Sequence, residues 1–138
     1  MNPQLLLGMV STLREIDPRY LKQPDRADLR VRYFRGQAIE LHVWQTLDGS
    51  LDHFQLVVGA QALIWSLRRG FLLGEAEQDP RGPGSTGMLP AAEIIFATTE
   101  VKGMGQVLAV VVDHGPLDDD LRQRLRAVLL QLPDRSPH

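Results

Sequence analysis

The chain has 138 residues and no cysteine. That excludes a disulfide framework and a thiolate metal site, and it suits a reducing compartment. Lysine is almost missing too: of the 15 basic residues, only Lys22 and Lys102 are not arginine. Arginine favours planar, two-pronged contacts with anions, although such a bias also follows from the base composition of a genome. There is no basic excess. A net charge of −2 and a pI near 6.0 argue against a dedicated nucleic-acid binder. No apolar run approaches the roughly 20 residues of a membrane-spanning helix. The stretch Met1 to Val10 lacks the basic start and the small-residue cleavage site of a secretory signal. The sequence therefore predicts a cytoplasmic protein with no membrane association.

What remains is ordinary globular composition, 43% hydrophobic and 23% charged. The length suits one domain, residues 1–138, able to bury roughly two-thirds of its unfolded surface. The most informative stretch runs from Leu41 to Val58 and reads as a β-hairpin. Asp48-Gly49 is the dipeptide that a two-residue type I′ turn favours, since both central residues need φ > 0. Leu47 then pairs with Ser50, Val43 faces Phe54, Leu41 faces Leu56 and Ile39 faces Val58, so one face is wholly apolar. The other face carries Trp44 opposite His53 and His42 opposite Gln55.

Residues 29–35 alternate as a half-buried strand. A three-residue loop, Gly36-Gln37-Ala38, puts Tyr33 opposite Leu41 and Val31 opposite Val43, and it keeps arginine out of the core. On this register Arg30, Arg32, His42, Trp44 and His53 share the polar face, with Arg30 over Trp44 in cation–π range.

Upstream, residues 3–17 read as a helix with Asn2 as cap, Pro3 at the first helical position and a stripe of Leu6, Met9, Val10, Leu13 and Ile16. Residues 18–28 are a polar, proline-punctuated loop. Residues 60–69 fit either a helix or the first strand of a second hairpin that continues through 71–77. Strands are favoured, because a helix there would have only about nine residues. Residues 78–90 form a glycine- and proline-rich loop. Residues 91–101 are rich in β-formers, with a helix after Pro90 as the competing reading. Residues 102–105 read as a turn into a covered central strand over 106–112. The last element is a helix with Pro116 at its first position and Asp118, Asp119 and Asp120 in its first turn. Asp118/Arg122 and Asp120/Arg124 are its i, i+4 pairs, and Leu121, Leu125, Val128, Leu129 and Leu132 form its buried stripe.

These elements predict an α+β domain: an antiparallel β-meander of five to seven strands with amphipathic N- and C-terminal helices packed on it. Three places could carry chemistry. The polar sheet face, with Arg30, Arg32, His42, Trp44 and His53, suits a small anionic ligand or a protein partner with an aromatic anchor. It is a poor metal site, since His42 and His53 lie on a diagonal with only Glu40 near. Asp113-His114 offers an acid–base pair, but reads better as part of a turn. The loop from Gly82 to Gly87 lacks the lysine and the strand-to-helix setting of a phosphate loop. Glu75 and Glu77 alternate along a strand and thus share a face, as carboxylates on solvated edges commonly do. No cofactor or metal is expected.

The order of elements loosely resembles that of small acidic bacterial chaperones or adaptors, but no motif supports the resemblance and none ties the chain to a family. The expected function is a non-catalytic, homodimeric binding module, adaptor- or chaperone-like. The alternative is a small enzyme acting on an anionic or phosphorylated metabolite through His42, His53 or His114. RNA binding through the arginine and aromatic face is a third reading, and it requires steep salt dependence.

Overall fold

The computed structural model describes residues 3–75, 94–95 and 98–132. A short helix, α1 (Pro3–Ser11), leads into seven strands and two further helices. The strands are β1 (Arg14–Glu15), β2 (Leu29–Arg35), β3 (Ile39–Thr46), β4 (Leu51–Val58), β5 (Gln61–Ser66), β6 (Gly70–Glu75) and β7 (Ile94–Ile95). They form one sheet in chain order, every neighbouring pair antiparallel. The helices α2 (Thr98–His114) and α3 (Asp119–Leu129) close the chain. The α+β meander expected from the pattern is what forms, and residues 60–69 belong to a hairpin rather than a helix.

The β3–β4 pairing follows the expected register from Ile39 opposite Val58 to Trp44 opposite His53, and then slips so that Gln45 meets Leu51. The slip corrects the turn. Gly49 N–H donates to Thr46 O at 2.9 Å and Thr46 N–H donates to Ser50 O at 2.9 Å, enclosing three loop residues instead of two. Only Gly49 has positive φ, at 92°. This is the turn-plus-glycine-bulge form of a hairpin, in which one left-handed residue suffices. The Asp48 carboxylate accepts from the Thr46 hydroxyl and from Ser50 N–H. Those bonds hold its pKa down at about 2.

The β2–β3 register is a second correction. Arg35 faces Glu40, Phe34 faces Leu41 and Tyr33 faces His42. Gly36 N–H donates to Ile39 O, and Ala38 takes the left-handed conformation at φ 62°. The connection is therefore one residue different from the loop inferred, which reverses the faces of the whole strand. Phe34 becomes fully buried, while Arg30 and Arg32 move to the helix side. There Arg32 lies over the Phe34 ring and is held by two carboxylates, Glu15 at 2.8 Å and Asp118 at 2.8 Å. Arg30 is exposed, pairs with Gln45 and donates to Ala27 O and Leu29 O; it does not cover Trp44.

Helix α1 ends at Ser11 rather than at residue 17, because Arg14 and Glu15 pair with Arg35 and Phe34. Leu6 and Val10 still form its buried stripe, and Leu13 just beyond its end is buried as well. Asn2 lies outside the described residues, as does the whole of 78–90. The expected strand over 106–112 is overturned, since these residues lie within α2. Met104, Val107, Leu108, Val111 and Val112 are all buried, at i, i+3, i+4, i+7 and i+8. A continuous apolar run hides that helical period. In 91–101, both expectations hold in part: Ile94–Ile95 is strand and the helix begins at Thr98.

All three helices pack with one sheet face into a single apolar core. Helix α3 crosses that face, and three contacts mark its path. Its cap Asp118 accepts from Leu121 N–H and from Arg32. Its Arg124 bonds Asp120 and reaches Asp48 O on the β3–β4 turn. Gln131 beyond its end accepts from the Trp65 indole. The expected Asp118/Arg122 pair does not form; Arg122 instead donates to Val112 O, Gly115 O and Leu117 O, capping the end of α2. The outer edge of β2 is closed by the chain before it. Leu29 N–H donates to Arg26 O, Val31 N–H to Gln23 Oε1, and Tyr33 O accepts from Ile16 N–H.

Two predictions follow from these contacts. A Cβ on Gly36 would stand 2.6 Å from Thr12 Oγ1 and 3.0 Å from Leu13 N, where α1 meets the β2–β3 turn. Gly36→Ala should therefore cost roughly 1–3 kcal/mol, read as a lower urea midpoint. Gly8→Ala, with nothing within 4 Å, should stabilise by about 0.5–1 kcal/mol. Equal midpoints for the two variants would contradict this packing. Asp118→Ala removes both the α3 cap and a partner of Arg32, and should cost about 0.5–2 kcal/mol; a thermal melt matching wild type would exclude that role.

Candidate functional site

The second face of the sheet carries the side chains that the helices do not use. By strand parity its rows are Arg35, Glu40, Val57 and Ala62; then Tyr33, His42, Gln55, Ile64 and Leu72; then Val31, Trp44, His53 and Ser66. A solvated antiparallel face would alternate to polar residues here. This one does not. Val31, Trp44, Ala62 and Leu72 are buried yet stand outside the main core cluster, and Val57 and Ile64 are half-buried beside them. Apart from the histidines, the charged groups of these rows are Arg35 and Glu40, opposite each other in register.

At the centre is a diagonal stack of four rings. Tyr33 lies on His42 at 4.1 Å between centroids, His42 is followed by Trp44 at 5.7 Å, and Trp44 lies on His53 at 4.2 Å. All three contacts are within 22° of parallel. Two of them are cross-strand pairs and the third joins neighbours two apart on β3, so the sheet register alone assembles the stack. Trp44 is 7% exposed, wedged between the two imidazoles.

The polar ends of the stack differ. The Tyr33 hydroxyl donates to the Glu40 carboxylate, and burial together with that bond raises the phenol well above its ordinary pKa. His53 Nδ1 lies 2.7 Å from Asp52 Oδ2. His42 has no such partner among the described residues: its Nδ1 is buried without a hydrogen bond to any of them. Desolvation lowers the pKa of His42 below its ordinary 6.5, opposed by the negative charge of Glu40.

Of the five residues expected at this face, the structure brings together His42, Trp44 and His53 and sends Arg30 and Arg32 to the other side. Tyr33 was missed, because the inferred register pointed it inward. Its signal was present in the sequence: given one tyrosine and one phenylalanine in adjacent positions, the hydroxyl belongs on the half-exposed face. Asp113 and His114 are exposed at the end of α2, where Asp113 pairs with Arg126 at 3.3 Å. They are the last two residues of a helix and do not follow a strand. Glu75 closes β6, while Glu77 and the loop from Gly82 to Gly87 lie outside the described residues.

A cleft of about 250 Å³ lies elsewhere, between α1, α2 and the β4–β5 turn, lined by Leu6, Val58, Met104 and Val107 with Gln61 and Gln106. It holds no titratable group. Among the described residues no group of three or more His, Asp or Glu is placed to hold a metal ion, and no helix is long and apolar enough to cross a membrane. Compared with models of protein families, with characterised proteins and with solved structures, the chain matches none.

Because the folded state holds His42 neutral more firmly than the unfolded chain does, acid favours unfolding. Stability should be constant above pH 6.5, fall as pH drops through 6.5, and level off once the folded form also takes up the proton. His42→Phe keeps a stacked ring and should flatten that part of the curve. Urea unfolding across the range checks this, and an unchanged pH profile in the variant would rule out His42 as the source.

Proposed function

We propose that the chain is a non-catalytic binding module, adaptor- or chaperone-like, that works as a homodimer through its second sheet face. The observation that carries this reading is the stack Tyr33, His42, Trp44 and His53, set in a face that no described helix covers. Interface centres are poor in charge and rich in aromatic side chains, and this face has both properties.

Three features favour a second copy as occupant. Arg35 and Glu40 offset each other, so two such faces meet without net repulsion. Since Val31, Trp44, Gln55, Ala62 and Leu72 are already buried in a single copy, what a partner can still cover is a small surface around Tyr33, His42, Val57 and Ile64, at the low end for protein interfaces. Sheets stack face to face about 10 Å apart, which would bury Val57 and Ile64 as the helices bury the opposite face. The β2 edge, by contrast, has its outward hydrogen bonds taken by residues 16–26, which disfavours edge-to-edge pairing. An interface of that size predicts reversible, micromolar association. The enzyme reading has less support, since Arg30 and Arg32, the cations that would hold an anionic metabolite, face away from His42 and His53.

Sedimentation equilibrium tests the proposal. The wild type should show a monomer–dimer equilibrium in the micromolar range, and Ile64→Lys should shift it to monomer. A second variant, Val57→Lys, should do the same, and far-UV circular dichroism should show both folded. A wild type that stays monomeric into the millimolar range, or folded variants that dimerise equally well, would refute the reading.

A further inference from the structure

Resting on the self-association reading above, we propose that His42 gates the pairing by pH, holding it closed near neutrality and releasing it in mild acid. The argument starts from one atom. His42 Nδ1 is buried and has no hydrogen-bond partner among the described residues. A neutral imidazole tolerates this, because a bare Nδ1 forgoes an acceptor bond while Nε2 keeps the proton. Protonation places an N–H at that same atom, where nothing accepts it, and an unsatisfied charged donor costs far more than an idle lone pair.

The ring is half-buried in a single copy. A second copy laid on the face would remove its remaining water, so the charged form is penalised more in the pair than alone. That difference is what couples the proton to association.

The neighbours do not cancel it. Tyr33 of β2 covers one side of the ring, and Trp44 of β3 flanks the other at longer range. Gln55 of β4 is opposite in register and uncharged. Among the described residues, Glu40 is the carboxylate facing this end of the stack, and it already accepts from the Tyr33 hydroxyl; Arg35 stands beside it in register. The attraction from Glu40 is outweighed by desolvation. His53 is differently placed. Its Nδ1 meets the Asp52 carboxylate, so its charged form has a partner, and it does not carry the gate.

The test uses the full chain in sedimentation equilibrium at about pH 7.5 and about pH 5.5, which bracket the ordinary histidine range. The wild-type dimer should weaken by roughly tenfold or more in acid, the effect of about one unit of linked pKa difference. His42→Phe should associate equally at both, and His53→Phe should keep the wild-type response. Near-UV circular dichroism should report a folded monomer in acid. A wild-type dimer of equal strength at both pH values would overturn the gate and leave self-association standing. A monomer at both would overturn the two together. Dissociation that coincides with unfolding, or a His42→Phe variant that still weakens in acid, would overturn the assignment to His42.

Discussion

The parity of β2 is set by Phe34, which is fully buried opposite Leu41. The competing register would bury Tyr33 instead, and an inward hydroxyl without a partner costs about 1–3 kcal/mol. With Phe34 inward, Tyr33 reaches Glu40 on the other face, and Val31 and Tyr33 join the rows of Trp44 and His42. The same choice brings Arg32 to the helix side, which would be prohibitive for an isolated buried cation. It is tolerated because Arg32 stands at the margin of the core and meets Glu15 and Asp118. One phenylalanine thus determines both where the ring stack forms and how β1, β2 and the start of α3 are joined.

The hairpin register from Ile39 to Trp44 was legible because both strands alternate strongly, and any one-residue slip would bury His42 or expose Phe54. The strand character of residues 61–75 was legible from length, since a helix bounded by Arg68-Arg69-Gly70 would have been short. The slip at Gln45 was not legible: it depends on the Asp48 carboxylate serving Thr46 and Ser50 and on Arg124 arriving from 76 residues away. The β2 register failed for a related reason. Keeping arginine off the core is a sound local rule, and only tertiary structure shows that two carboxylates wait for Arg32. Residues 106–112 were misread because β-branched residues can fill a helix that is covered by both a sheet and neighbouring helices. There packing outweighs intrinsic propensity.

The candidate site was legible in part for the same physical reason. Residues on β3 and β4 were placed correctly, because their mutual register is fixed by their own alternation. Residues on β2 were not, because its register is fixed by contacts with α1 and α3. Gly36 shows how: it lies against Thr12 and Leu13 of the α1 end, while Thr12 Oγ1 also accepts from Gln37 N–H. The turn that sets β2 is therefore shaped by a helix whose position no local pattern reveals.

The two faces of the sheet use charge in opposite ways. On the helix side the ion pairs join arginine to aspartate or glutamate: Arg32 with Glu15 and Asp118, Arg124 with Asp120. Asp118 is held below the usual carboxylate range by Leu121 N–H and by Arg32. The Arg32–Asp118 contact that helps fix the register thus involves a carboxylate held to its charged form. On the other face the ring that lacks a partner among the described residues is an imidazole, the one side chain whose ordinary range falls near neutral pH. A phenylalanine at position 42 would stack as well and bury more favourably. Histidine accepts a poorer environment there, and the physical property it adds is a charge that can be switched while the fold beneath stays intact.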